Sequence, residues 1–140
     1  MADEQLWQIV KDGRNGILAT LNRDGMPQLS NVYFLADAAL RQVRISTTTV
    51  RTKGKNLERD PRATLLVPGS DFFNFAVVEG PVSLAIARSP DDLAVEELFE
   101  VHSALGAVSR RDGFGEEMIA NHRMVARIDV TRIYGQILNR

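Results

Sequence analysis

Between residues 16 and 47 the chain has three apolar-rich stretches and only two breaks, neither long enough for a crossover helix. Residues 16–21 form a short apolar run, and Asn22-Arg23-Asp24-Gly25 is a turn. Residues 28–35 return, and Asp37-Ala38-Ala39 turns the chain again. Residues 40–47 then alternate, with Val43 and Ile45 set against Gln42, Arg44 and Ser46. Parallel neighbours need a long connection, whereas antiparallel ones need only a tight turn. The expectation is an antiparallel meander of three strands, which argues against a doubly wound parallel sheet.

The remaining segments extend this pattern. Leu6, Trp7, Ile9 and Val10 fall at helical spacing, with Asp3 placed to cap and Gly13 to stop; Trp7 reads as a core or interface anchor. Pro27 permits only a strand start or an edge. Residues 63–67 read as a fourth strand, and residues 72–87 as a fifth, bent at Gly80-Pro81. At its start Phe72, Phe73 and Phe75 cluster, two expected in the core and one on the opposite face. Ser89-Pro90-Asp91-Asp92 predicts a helix start with Ser89 as N-cap and Pro90 in the first turn. Leu93, Leu98, Phe99 and Val101 give that helix an apolar stripe, and His102 near its end reads as a surface or dipole partner. Gly113-Phe114-Gly115 reads as a loop, residues 116–123 as a short helix carrying His122, and residues 124–134 as the last strand. The sum is one domain over residues 1–140, mainly β with flanking helices, its six strands forming a closed antiparallel barrel.

Composition narrows the function classes. A formal net charge of -1 argues against nucleic acid as the main partner. The absence of cysteine removes disulfides and thiolate metal sites. Two histidines without H-E-x-x-H spacing point away from zinc, so no metal is expected. No G-x-S-x-G elbow, Walker loop or G-x-G-x-x-G fingerprint is present. No apolar run is long enough to span a bilayer, and the acidic start Met1-Ala2-Asp3-Glu4 lacks a signal-peptide layout, so the expected location is cytoplasmic.

Two stretches carry possible chemistry. Residues 50–62 hold Arg51, Lys53, Lys55, Arg59 and Arg62 against only Glu58 and Asp60, directly after Ser46-Thr47-Thr48-Thr49. This reads as a strand ending in hydroxyls, then a short basic helix stopped by Asp60-Pro61. Hydroxyls, helix-start N–H groups and cations are what a phosphate needs; the competing reading is a solvated helix face. The second stretch, Leu29-Ser30-Asn31-Val32, breaks an apolar pattern with adjacent small polar residues and is either a polar edge strand or a ligand face. Together with nearby aromatics, these features suit a phosphorylated, flat, aromatic ligand.

The run G-I-L-A-T-L-N-R-D-G-M-P-Q-L-S-N-V over residues 16–32 resembles the first hairpin of the split β-barrel flavin and deazaflavin enzymes, the superfamily of pyridoxamine 5′-phosphate oxidase. R-T-K-G-K-N-L-E-R-D-P-R-A-T over residues 51–64 is similar to its phosphate-binding segment, and G-P-V-S-L and R-I-Y-G fit as well. The resemblance is strongest to the actinobacterial branch that uses coenzyme F-420, a 5-deazaflavin with an oligoglutamate tail. It implies a six-stranded split barrel and a homodimer with two cofactors in the interface. It further implies that Arg51, Thr52 and Lys53 meet the phosphate, that Ser46 and Thr47 lie beside the rings, and that Gln28, Ser30, Asn31 and Val32 line their other edge. Phe73 would approach from the partner subunit, and Lys55, Arg59 and one or both of Lys11 and Arg14 would guide the acidic tail. The family's oxidases carry an Arg and a His close together near the end, whereas no histidine follows His122 here. The implied activity is therefore F-420-dependent hydride transfer to a quinone, enone or similar small acceptor. The alternatives are an FMN-dependent oxidase or reductase on the same barrel, or a non-catalytic cofactor-binding protein.

Overall fold

The computed structural model of the protein describes residues 2–108 and 110–138. Its helices are α1 (Ala2–Asp12), α2 (Thr52–Arg59), α3 (Leu93–Ala104) and α4 (Phe114–Ala120). Its strands are β1 (Asn15–Leu21), β2 (Pro27–Tyr33), β3 (Leu35–Asp37), β4 (Gln42–Thr48), β5 (Arg62–Pro68), β6 (Phe75–Ile86), β7 (Arg123–Asp129) and β8 (Arg132–Gln136). All pairings are antiparallel, in the order β2-β1-β5-β6-β7-β4-β3, with β8 added to β6.

Among the described residues eight strands stand where six were expected, and each difference has a local cause. The stretch read as one strand over residues 28–35 divides at Phe34, which is fully buried and whose N–H bonds the carbonyl of Arg14. That plunge ends β2 and starts β3 on another part of the sheet. β4 therefore pairs with β3 and β7, not with β2, so the expected meander does not form. The last strand divides around Val130 and Thr131, giving β7 on β4 and the second half of β6, and β8 further along the same edge of β6, beside its first half.

The long strand β6 is the hinge of the architecture. Phe75 to Pro81 pairs with β5, and Val82 to Ile86 pairs with β7. The change of partner falls at Gly80-Pro81, where a proline has no N–H to give to a ladder. The sheet thus curls, but among the described residues no ladder joins β2 to β4, so the barrel stays open along one seam.

Two apolar clusters fill the molecule. The larger one lies inside the curled sheet and takes Trp7 and Val10 of α1, with Leu18, Phe34, Ile45, Leu57, Leu65, Val78 and Ile128. Trp7 is thereby a core residue, with Arg41 over its ring at 4.6 Å. A smaller cluster of Val95, Leu98, Phe114, Met118 and Val125 attaches α3 and α4 to the outer side of β7. Phe114 and Gly115 belong to α4 and not to a loop. The stripe expected on α3 holds for Leu98 and Val101, but Leu93 at the first turn is 87% exposed.

Helix α3 starts later than Ser89 would allow. Asp92 is the N-cap: its carboxylate accepts from the Val95 N–H at 2.9 Å and from the Arg88 N–H at 2.8 Å. Phe72 and Phe73 also depart from expectation. They precede β6, in a turn where the Phe73 N–H bonds the Asp71 carboxylate, and they are 88% and 50% exposed. No described helix is long and apolar enough to cross a membrane.

Candidate functional site

The site begins at the end of β4. Ser46 is half-buried, while Thr47 and Thr48 are buried at 2% and 5% exposure. Among the described residues, the Oγ1 atoms of both threonines have no hydrogen-bond partner. A buried hydroxyl without a partner costs free energy.

After three intervening residues, Thr49 to Arg51, the chain turns into α2, and Gly54 sets how tightly that helix docks. A Cβ at Gly54 would lie 1.9 Å from the Thr48 carbonyl oxygen, so only glycine lets the helix sit against the strand end. Leu57 anchors the same helix in the core, and Asn56 ties it to β1 through Thr20 at 3.1 Å and to Asn22 at 2.9 Å. The N-cap Arg51 makes no side-chain cap, and its backbone is extended. The first-turn N–H groups of α2 are therefore left for solvent or a ligand, at the positive end of the helix dipole.

Across the open seam a pocket of about 450 Å³ forms. β2 supplies Asn31, Val32 and Tyr33, β4 supplies Ser46 and Thr47, and the start of α2 supplies Arg51 and Lys53. His102, Leu105 and Ala107 come from the end of α3 and the segment after it, and Arg123 from the start of β7. Its size lies within the usual range for small-molecule sites. A larger cavity of about 540 Å³ lies beside β5 and β6, but its Arg62 is bound to Asp60 and its Glu79 to Arg132. We place the chemistry in the seam because the charges there are not paired.

Among the described residues, Arg51, Lys53 and Arg123 have no carboxylate within ion-pair distance. Burial lowers the Lys53 ammonium below the ordinary lysine range, and the charges of Arg51 and Arg123 push it the same way. Burial also lowers Arg123, with Arg51 adding to the effect and Glu117 opposing it. Arg123 Nε is a further buried atom without a partner. Three cations that repel one another in one pocket are unfavourable alone and favourable around an anion.

Six of the site residues expected from sequence thus meet here: Asn31, Val32, Ser46, Thr47, Arg51 and Lys53. Five do not line the pocket. Thr52 and Lys55 are exposed on α2, and Gln28 and Ser30 are half-buried further back along β2. Phe73 sits in its turn, where its carbonyl accepts from Gln136 Nε2 at 2.9 Å. Of the other cations, Arg59 donates to the Leu21 carbonyl and to Asn56, Arg62 pairs with Asp60, and Arg14 donates to the carbonyls of Lys11 and Gly13.

Tyr33, His102, Leu105, Ala107 and Arg123 were not anticipated. His102 is no surface residue: its Nε2 lies 2.8 Å from Ser46 Oγ, and its ring meets Phe114 edge-on at 5.6 Å. Arg123 reaches the site because β7 pairs with β4 in a register that sets it opposite Thr48. The long-range pairing is the signal that would have found it, and no local motif carries that.

Comparison with known proteins agrees with this architecture. The family profile described as pyridoxamine 5′-phosphate oxidase matches residues 2–137. An F-420 reductase of known structure superposes with a TM-score of 0.70 at 20% identity, over 92% of this chain and 95% of that one. A conserved hypothetical protein from Mycobacterium tuberculosis gives 0.70 at 22%, over 95% and 82%. A heme binding protein from Mycobacterium smegmatis gives 0.67 at 24%, over 95% of this chain and 52% of its own. Likeness at these identities establishes a shared fold.

Proposed function

The chain belongs to the pyridoxamine 5′-phosphate oxidase family, and from that premise we propose that the seam pocket binds a phosphorylated flavin-type cofactor, coenzyme F-420, for hydride transfer to a small activated acceptor such as a quinone or enone. One observation carries the reading: Arg51, Lys53 and Arg123 share the pocket, and among the described residues none of them has a carboxylate within ion-pair distance. A phosphate ester satisfies all three groups with charge-assisted hydrogen bonds.

The residues present fit such a group. Lys53, Arg51 and Arg123 would hold the phosphate, beside the end of β4 where Thr47 lines the pocket. Val32, Tyr33, Leu105 and Ala107 offer the apolar surface against which a flat ring system excludes water. The cofactor supplies the hydride chemistry when bound, and the protein supplies binding and orientation. No protein nucleophile is required for such a transfer.

FMN remains the second reading, and a specific observation favours it. Arg59, Arg62 and Arg14 are engaged within the chain, which leaves Lys55 as the main exposed cation near the site to attract an oligoglutamate tail. Titrating the protein with F-420 and with FMN, followed by visible spectra, separates the two. Tighter binding of F-420 supports the assignment, tighter FMN binding replaces it, and no binding of either refutes the cofactor reading.

The proposed functional unit is a homodimer. Ile17, Leu66, Val77 and Tyr134 stand side by side across four strands on the outer face of the sheet, with Leu29 exposed beside them. A second copy covers such an apolar row, and Phe73 of the partner subunit would then approach the shared site. Sedimentation should show a dimer at micromolar concentration that Ile17→Glu dissociates; a wild-type monomer refutes the shared-site arrangement.

A further inference from the structure

The wall of the pocket facing α3 carries its own chemistry. Ser46 Oγ lies 2.8 Å from His102 Nε2 and accepts from Arg123 Nη1 at 3.5 Å. A serine hydroxyl has one hydrogen, and a guanidinium can only donate. In the neutral tautomer that carries its hydrogen on Nδ1, the serine hydrogen is directed at Nε2, while Arg123 uses an acceptor site of Ser46. Protonation of His102 reverses that bond, because an imidazolium nitrogen donates. The serine hydrogen is then released to turn into the pocket.

We propose that Ser46 and His102 complete the anion site, with His102 acting as an imidazolium, so that a phosphate-type dianion enters the pocket together with one proton. The proposal rests on the reading of the pocket as an anion site. The groups facing His102 decide its charge. Arg123 approaches from β7, Ser46 from β4, and Glu117 and Phe114 from α4, while Arg51 and Lys53 share the pocket. In the free protein, burial keeps the imidazole neutral to lower pH than usual, Arg123 reinforces this, and only Glu117 opposes it. A fourth positive charge among three uncompensated ones is disfavoured until a dianion arrives. The anion reverses the sign of the local field, and the imidazolium becomes the favoured state.

The sign follows from linkage. Binding takes up a proton wherever the pH lies between the free and bound midpoints of His102. In that window affinity for a dianion strengthens about tenfold per unit fall in pH.

Sulfate is the probe, because it is a dianion that does not titrate near neutrality. The chain has two histidines, so His122→Gln leaves one imidazole to follow by NMR. In sulfate, the His102 midpoint should move up relative to chloride at equal ionic strength. In Ser46→Ala the rise should shrink, and in His102→Gln the pH dependence of sulfate binding should disappear. If sulfate shifts the amides of Arg51 to Lys53 but leaves the His102 midpoint in place, proton coupling is overturned and the anion site stands. If sulfate perturbs neither, both readings fall.

Discussion

Lys53→Ala, set against Lys55→Ala, tests the placement of the phosphate directly. The two lysines are two residues apart on the same eight-residue helix, yet Lys53 lines the pocket and Lys55 is exposed outside it. A hydrogen bond from a partly buried ammonium to a phosphate contributes about 1.5–3 kcal/mol. Its loss should weaken cofactor binding by roughly 10- to 150-fold. An exposed, screened pair is worth about 0–1 kcal/mol, so Lys55→Ala should cost about fivefold at most. The free proteins should diverge the other way. Burial and the charges of Arg51 and Arg123 disfavour the Lys53 ammonium, so its removal should raise the melting temperature of the ligand-free chain. Because its folded value is depressed, that penalty is full at neutral pH and fades as pH rises through the ordinary lysine range. Calorimetric titration and thermal melts of both variants supply the comparison. Equal losses, or no loss in Lys53→Ala, would show that the phosphate does not sit at the start of α2.

Gly54→Ala should destabilise the chain by about 1–3 kcal/mol despite alanine's better helix propensity, because its Cβ would overlap the Thr48 carbonyl. Urea unfolding checks this, and a variant as stable as wild type would mean that α2 does not pack so closely. Asp92→Ala should cost about 1 kcal/mol at neutral pH. Burial acts to raise the Asp92 carboxyl, but N–H bonds from Arg88, Val95 and Ser89 outweigh it and hold it below the ordinary range. Its contribution is therefore present above the ordinary aspartate value and lost as pH falls through the depressed one, so melts of wild type and variant should converge in acid.

Local signals recovered local features. The basic stretch folds as expected: α2 runs from Thr52 to Arg59 and stops at Asp60, and Arg51 and Lys53 face the pocket after a strand that ends in hydroxyls. The turn at Asn22 to Gly25 was likewise legible, and the bend expected at Gly80-Pro81 falls where β6 changes partner, because glycine and proline constrain the backbone wherever they occur. What failed depended on long-range pairing. Alternation through residues 28–35 cannot reveal that Phe34 turns inward and hands the chain from one part of the sheet to another. The apolar character of Phe72 and Phe73 argued for burial, yet the Asp71 turn holds them at the surface. His102 does stand in the last turn of α3, but nothing near it in sequence shows that Ser46, 56 positions earlier, is its neighbour. Arg123 was hidden for the same reason.

The open seam also has a mechanical consequence. One lip of the pocket is built on the large core inside the sheet. The other, at His102, leans on the small cluster beneath α3 and α4. A layer held by so few apolar side chains opens at lower free energy than the barrel, and it can do so while the strands stay paired. A molecule seated across both lips acts as a clasp between two units of unequal strength. Amide exchange should therefore slow along the last turn of α3 when the seam is filled, while β5 and the first half of β6, already limited by global unfolding, respond only to the overall gain in stability.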